Sequence, residues 1–153
     1  MPLERICGRG VVFDLSAKKP NEPITAADLE KRAGGLRDGD IAVLRTDWTD
    51  RAWGTPAFWT DSPYLTRDAA DWLVGRRVSA VVYDFVEEYA VRTPGFTGAD
   101  CEVHHAILGA GIYNIEYVIG LGRIPGATTT IIALPLRLVG VESAPARVIA
   151  LED

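Results

Sequence analysis

The stretch Ile41-Ala42-Val43-Leu44 is apolar at four successive positions, with no alternation of polar and apolar side chains. A strand of that kind has to be covered on both faces, so it belongs inside a layered structure rather than on an open sheet. Val78-Ser79-Ala80-Val81-Val82-Tyr83-Asp84-Phe85 reads as another buried strand, ending in an acid. Val11 to Leu15 and Val148 to Leu151 are further strands, and Thr128 to Val139 is a long strand-forming run. Pro135 within that run lacks a ladder donor and marks a bulge, an edge or a break into two strands. Helical segments lie between the strands. Thr25 caps a helix from Ala26 to Ala33, with Asp28 placed for a capping box, Ile24 and Leu29 for a hydrophobic staple, and Gly34-Gly35 to end it. Thr66 caps a second helix from Arg67 to Val74, closed by Gly75. The pattern predicts an α/β class fold, a mixed sheet with flanking helices. A chain of 153 residues supports one core and not comfortably two, so a single domain over residues 1–153 is expected.

The net charge of −5 disfavours a nucleic-acid or anionic-membrane surface, where a basic patch is required, and the basic residues are dispersed. No apolar run is long enough to span a bilayer, and the start, Met1-Pro2-Leu3-Glu4-Arg5, has no charged-then-apolar leader pattern. A cytoplasmic protein is the expectation, with Cys7 and Cys101 reduced.

The chemistry concentrates in Cys101-Glu102-Val103-His104-His105-Ala106-Ile107-Leu108-Gly109-Ala110-Gly111-Ile112-Tyr113-Asn114-Ile115-Glu116, which holds both histidines of the protein. It reads as a short helix, a glycine break and a buried strand ending in a carboxylate. A histidine on the helix and a glutamate twelve residues later can converge on one point. Zn²⁺ and Mn²⁺ accept such nitrogen and oxygen ligands. The bland alternative is a surface histidine and a solvated acid. Cys101, three residues before His104, leaves a nucleophilic Cys–His pair open. Asp84 ends a strand where parallel sheets collect active-site groups, or it caps the next loop; Glu87 and Glu88 read as solvated. Trp48, Trp53, Phe58 and Trp59 crowd an irregular segment and either wall a pocket for a flat substrate or anchor that segment. No phosphate-binding loop, dinucleotide fingerprint or nucleophile elbow is present.

Taken in order, the pieces resemble the cyclase family, which includes bacterial kynurenine formamidases and isatin hydrolases. The resemblance runs through Pro2-Leu3-Glu4-Arg5, Gly10-Val11-Val12-Phe13-Asp14-Leu15, Ile24 to Glu30, Gly39 to Trp48, Leu65-Thr66 with Ala69-Ala70-x-Trp72-Leu73, and Val78 to Asp84. It continues through His104 to Glu116, Leu134-Pro135-Leu136 and Pro145 to Ala150, and so covers essentially the whole chain.

The resemblance implies a swivelling β/β/α-type fold and a metal centre, binuclear zinc or single manganese, that hydrolyses amides, formamides or lactams. His104 matches the family's later histidine ligand and Glu116 its glutamate ligand, whereas His105 falls where members carry a residue that is not a ligand. Asp84, Trp48, Trp53, Trp59 and His105 are candidates for the pocket wall or for support of the ligands. The family signature H-x-G-T-H-x-D-x-P-x-H has no counterpart here; in the family it lies upstream of the part resembling Pro2–Arg5, so the fold is expected to be incomplete at the N-terminus. One histidine and one glutamate do not hold a catalytic metal, for which three protein ligands and a water are the usual minimum. The leading expectation is a split enzyme of small-molecule metabolism, natural-product pathways included, with a partner chain bringing the remaining ligands for Zn or Mn. A truncated chain, a metal-free cyclase and a non-catalytic binding subunit that keeps the fold stand beside it.

Overall fold

The computed structural model describes residues 2–152; Met1 and Asp153, the two ends of the expected domain range, lie outside the described residues. Strand β1 (Cys7–Asp14) leads through β2 (Pro23–Ile24) into helix α1 (Ala26–Glu30). Strand β3 (Ile41–Arg45) follows, then the short helices α2 (Trp48–Ala52) and α3 (Ala57–Thr60). Next come β4 (Tyr64–Leu65), α4 (Arg67–Gly75), β5 (Ala80–Tyr83), α5 (Glu102–Gly109) and β6 (Tyr113–Ile115). The chain closes with β7 (Thr128–Pro135) and β8 (Ala146–Leu151).

Six strands form one sheet in the order β6-β5-β3-β1-β7-β8. The first four are mutually parallel; β7 pairs antiparallel with β1, and β8 antiparallel with β7. The architecture is the expected mixed sheet with flanking helices. Side chains of β3 alternate between two apolar clusters: Ala42 and Leu44 face the helices, Ile41 and Val43 the opposite side. All four are buried, which explains the unbroken apolar run. Gly10 of β1 lies closely against the second cluster. A Cβ there would lie 2.8 Å from Ile131 Cγ1 and 3.1 Å from Val43 Cγ2.

The capping box of α1 is present: Thr25 N–H donates to Asp28 Oδ2 at 2.9 Å, and Asp28 N–H donates to Thr25 Oγ1 at 3.3 Å. Ile24 and Leu29 are both fully buried in the helix-side cluster. The helix itself stops at Glu30, short of the expected Ala33, and the chain continues in turns. Thr66 departs from its expected side-chain cap of α4; its hydroxyl donates instead to Ile24 O at 3.0 Å. The reason is the small parallel sheet of β2 and β4, which pins the residues ahead of both helices side by side. The tryptophan segment, expected to be irregular, contains α2 and α3. Pro135 is the last residue of β7, so the long run ends there. No helix among the described residues is long and apolar enough to cross a membrane.

Helices α1, α4 and α5 cover the sheet from β6 to β1 and leave one face of β7–β8 open. Leu134, Ile149 and Leu151 on that ribbon are exposed, as are Leu136, Leu138, Val139 and Val141 in its connecting loop. Among the described residues no strand pairs with the outer edge of β8.

Candidate metal centre

The parallel strands β5 and β6 end side by side, with Val82 in register with Ile115. Glu116 follows β6 directly, and the segment after β5 carries Asp84, Glu87 and Glu88. Helix α5 lies across these ends. Its first residue is preceded by Cys101, whose side chain makes no cap. Glu88 supplies the missing acceptor: its Oε1 takes the His104 backbone N–H at 2.7 Å. A carboxylate at the start of a helix also answers the partial positive charge there.

That cap fixes His104 between three carboxylates. Its Nδ1 lies 2.7 Å from Glu87 Oε1 and 3.6 Å from Glu88 Oε1, and its Nε2 lies 3.1 Å from Glu116 Oε1. Gly111, at φ 75°, makes the left-handed turn that brings the chain from α5 into β6 and so carries Glu116 back to the histidine. The expected convergence of His104 and Glu116 is therefore present as geometry. Glu87 and Glu88, read from sequence as solvated, are instead 1% and 3% exposed. The packing of α5 over the end of β5 buries them, and nothing in their local sequence signals it.

The carboxylates of Glu116, Glu87 and Glu88 push the His104 imidazole up to about 12. Burial and the Glu116 charge raise Glu87 above the usual carboxylate range, against the pull of His104. When all are ionised, three negative charges face one imidazolium, a surplus that a divalent cation would neutralise. Ligand atoms of Glu87, Glu88 and His104 lie within 4.8 Å of one another. Glu87 Oε2 is buried without a hydrogen-bond partner, and so is His104 Nδ1, whose 2.7 Å contact with Glu87 Oε1 lacks the in-line direction of one. Nitrogen and oxygen donors of this kind suit Zn²⁺ or Mn²⁺.

The other sequence candidates fall around this point. Asp84 is fully buried, but its oxygens go to Thr46 N at 2.8 Å, Thr46 Oγ1 at 2.7 Å and Asp47 N at 2.7 Å. It ties the end of β5 to the end of β3 and makes no contact with His104. Burial pushes its carboxyl up to about 6, against these hydrogen bonds. His105 is exposed. Burial and the neighbouring Glu88 raise the Cys101 thiol, the opposite of what a nucleophile needs. Trp48 is buried, its indole N–H donating to Phe58 O at 3.1 Å. Trp53 and Trp59 are exposed and stack edge-on around Phe58, at 5.0 Å each. Tyr117 joins them, 5.8 Å from Trp59, so the aromatic group begins one residue beyond Glu116. The hydroxyl of Tyr83, fully buried and without a partner, was not singled out by the sequence; burial and then the Glu87 charge raise it.

Comparison with known proteins bears on the family and the fold. The family model Cyclase, described as "Putative cyclase", matches residues 1–87. The kynurenine formamidase of Salinibacter ruber is 28% identical over 159 residues, covering 97% of this chain and 65% of that protein. The solved structure of a "predicted metal-dependent hydrolase" from Bacillus stearothermophilus is 27% identical, with a TM-score of 0.74 over 97% of this chain and 65% of its own. Isatin hydrolase A from Ralstonia solanacearum is 26% identical, with a TM-score of 0.76 over 99% of this chain and 63% of its own. The chain thus spans just under two thirds of the length of these relatives. A family model over more than half of the residues, and the same sheet and helices in the solved relatives, establish that this chain belongs to the cyclase family.

Proposed function

We propose that the chain forms part of a metal-dependent centre for amide or lactam hydrolysis, or for the reverse ring closure, in small-molecule metabolism. The observation that carries this reading is the 3.1 Å approach of His104 Nε2 to Glu116 Oε1 at the ends of adjacent parallel strands. Those two groups would hold Zn²⁺ or Mn²⁺. In such centres the metal supplies Lewis acidity and a water whose pKa falls to about 7. The chain's own residues hold and orient. Asp84 fixes the start of the segment that carries Glu87 and Glu88, and Glu88 fixes α5. Trp59 and Tyr117 offer an apolar wall beside Glu116 for a flat ring.

The sequence holds two histidines and His105 is exposed, so we favour completion of the His104–Glu116 pair by ligands from outside these 153 residues. A partner chain is the source we favour. The open face of β7–β8 and the 94% exposed Val139 in its loop support a partner, because apolar surface of this extent is rarely left bare.

The test is to purify the chain with candidate partners, measure bound zinc and manganese, and assay N-formyl and cyclic amide substrates. His104→Ala is expected to lose metal and activity together. A folded, monodisperse chain that stays free of metal with every partner, and turns over nothing, overturns the reading. A second reading, a metal-free cyclase or a binding subunit, draws on the three carboxylates that hold His104 as imidazolium. Under it, His104→Ala leaves ligand binding intact.

A further inference from the structure

We infer that Glu87 is a positioning residue: its buried carboxylate engages His104 Nδ1, holds the imidazole ring and commits Nε2 to the cation. This rests on the reading of a metal centre at His104 and Glu116. The two sides of the ring differ. Nδ1 is buried, 2.7 Å from the 1% exposed Glu87. Nε2 faces Glu116, and both of those side chains are 30% exposed. A hydrated cation and a substrate can reach the second side and not the first. Glu88, the other acid near Nδ1, has its Oε1 engaged by the His104 backbone N–H.

Two electronegative atoms 2.7 Å apart need a proton or a cation between them. With access closed on that side, a proton on Nδ1 is the economical choice. A small rotation of the ring would bring that N–H into line with Glu87. A carboxylate behind a histidine in this way fixes its tautomer and makes the opposite nitrogen a better ligand. Burying a carboxylate is costly, and the contact of Glu87 Oε1 with His104 Nδ1 gives that burial a purpose, while Oε2 stays without a partner.

Having only two histidines, the full chain suits long-range ¹H–¹⁵N NMR of the imidazoles, with ¹¹³Cd²⁺ as the metal probe. The expected result is cadmium coupling to His104 Nε2, with a proton retained on Nδ1. Glu87→Gln should weaken Cd²⁺ binding by about 10- to 100-fold, with the coupling still at Nε2. Glu116→Gln should lower affinity while the Nδ1 proton persists. Coupling to Nδ1, or affinity unchanged by Glu87→Gln, overturns the inference. If the wild-type chain alone binds no Cd²⁺, the ligands from outside the chain are required for binding, and the positioning role is decided on the metal-free protein. There a slowly exchanging, far-downfield Nδ1 proton that disappears in Glu87→Gln sustains the role; its absence from the wild type refutes it. Thermal melting separates loss of fold from loss of positioning, and Glu88→Gln, which removes the helix cap charge, serves as the structural control.

Discussion

Asp28 and Asp84 are carboxylates drawn in opposite directions by their surroundings. Burial alone would raise Asp28, but the Lys18 ammonium at 2.8 Å and the Thr25 N–H and hydroxyl outweigh it and bring it to about 2. A carboxylate held below its unfolded value adds stability above about pH 4 and loses it as pH falls toward 2. Asp28→Asn should therefore cost about 1 kcal/mol near neutral pH, with the gap to wild type closing in melts run below about pH 4. Asp84, raised to about 6, has the reverse sign: the folded state binds its proton more firmly than the unfolded state does. Stability should fall as pH rises from about 4 to about 6, and urea titrations of Asp84→Asn should lack that slope. The Thr25–Asp28 box was legible in the sequence because donor and acceptor lie three residues apart. The burial of Glu87 and Glu88 was not, because it depends on a helix that begins fourteen residues later.

Helix α5, the Gly111 turn and β6 act as one unit that presents His104 and Glu116 together. Spacing allowed their convergence without requiring it, a surface histidine and a solvated acid being equally compatible with it; it was the resemblance to the family that singled the two out. An alanine at Gly111 meets no close atom but must adopt φ 75°, which costs roughly 1–2 kcal/mol for an L-residue. Gly111→Ala should lower the melting midpoint and also weaken metal binding, because the turn sets the reach of Glu116. Gly10→Ala tests the opposite case, an ordinary backbone with no room. Its Cβ would press on Ile131 and Val43, and a loss of about 1–3 kcal/mol in denaturant titrations is expected, with no effect on metal. The small β2–β4 sheet and helices α2 and α3 were missed because each is only two to five residues long. Elements that short have no periodicity to read; tertiary contacts such as Trp48 on Phe58 make them.

At the scale of the molecule, the mixed sheet was legible because the central strands are covered on both sides and their sequence records it. The order of the strands and the reversal at β7 were not, since pairing partners leave no mark on a single sequence. The open face of β7–β8 predicts an association that surface charge should abolish. Ile149→Lys is expected to dissociate the complex in sedimentation while leaving the melting midpoint of the chain nearly unchanged. The rim of the sheet carries a further consequence. The outward amide and carbonyl groups of β8 form a template that any extended peptide can extend, including another molecule of this protein. Cells making the chain in excess over whatever caps that rim should accumulate it as insoluble material, so balanced synthesis becomes a condition of keeping it in solution.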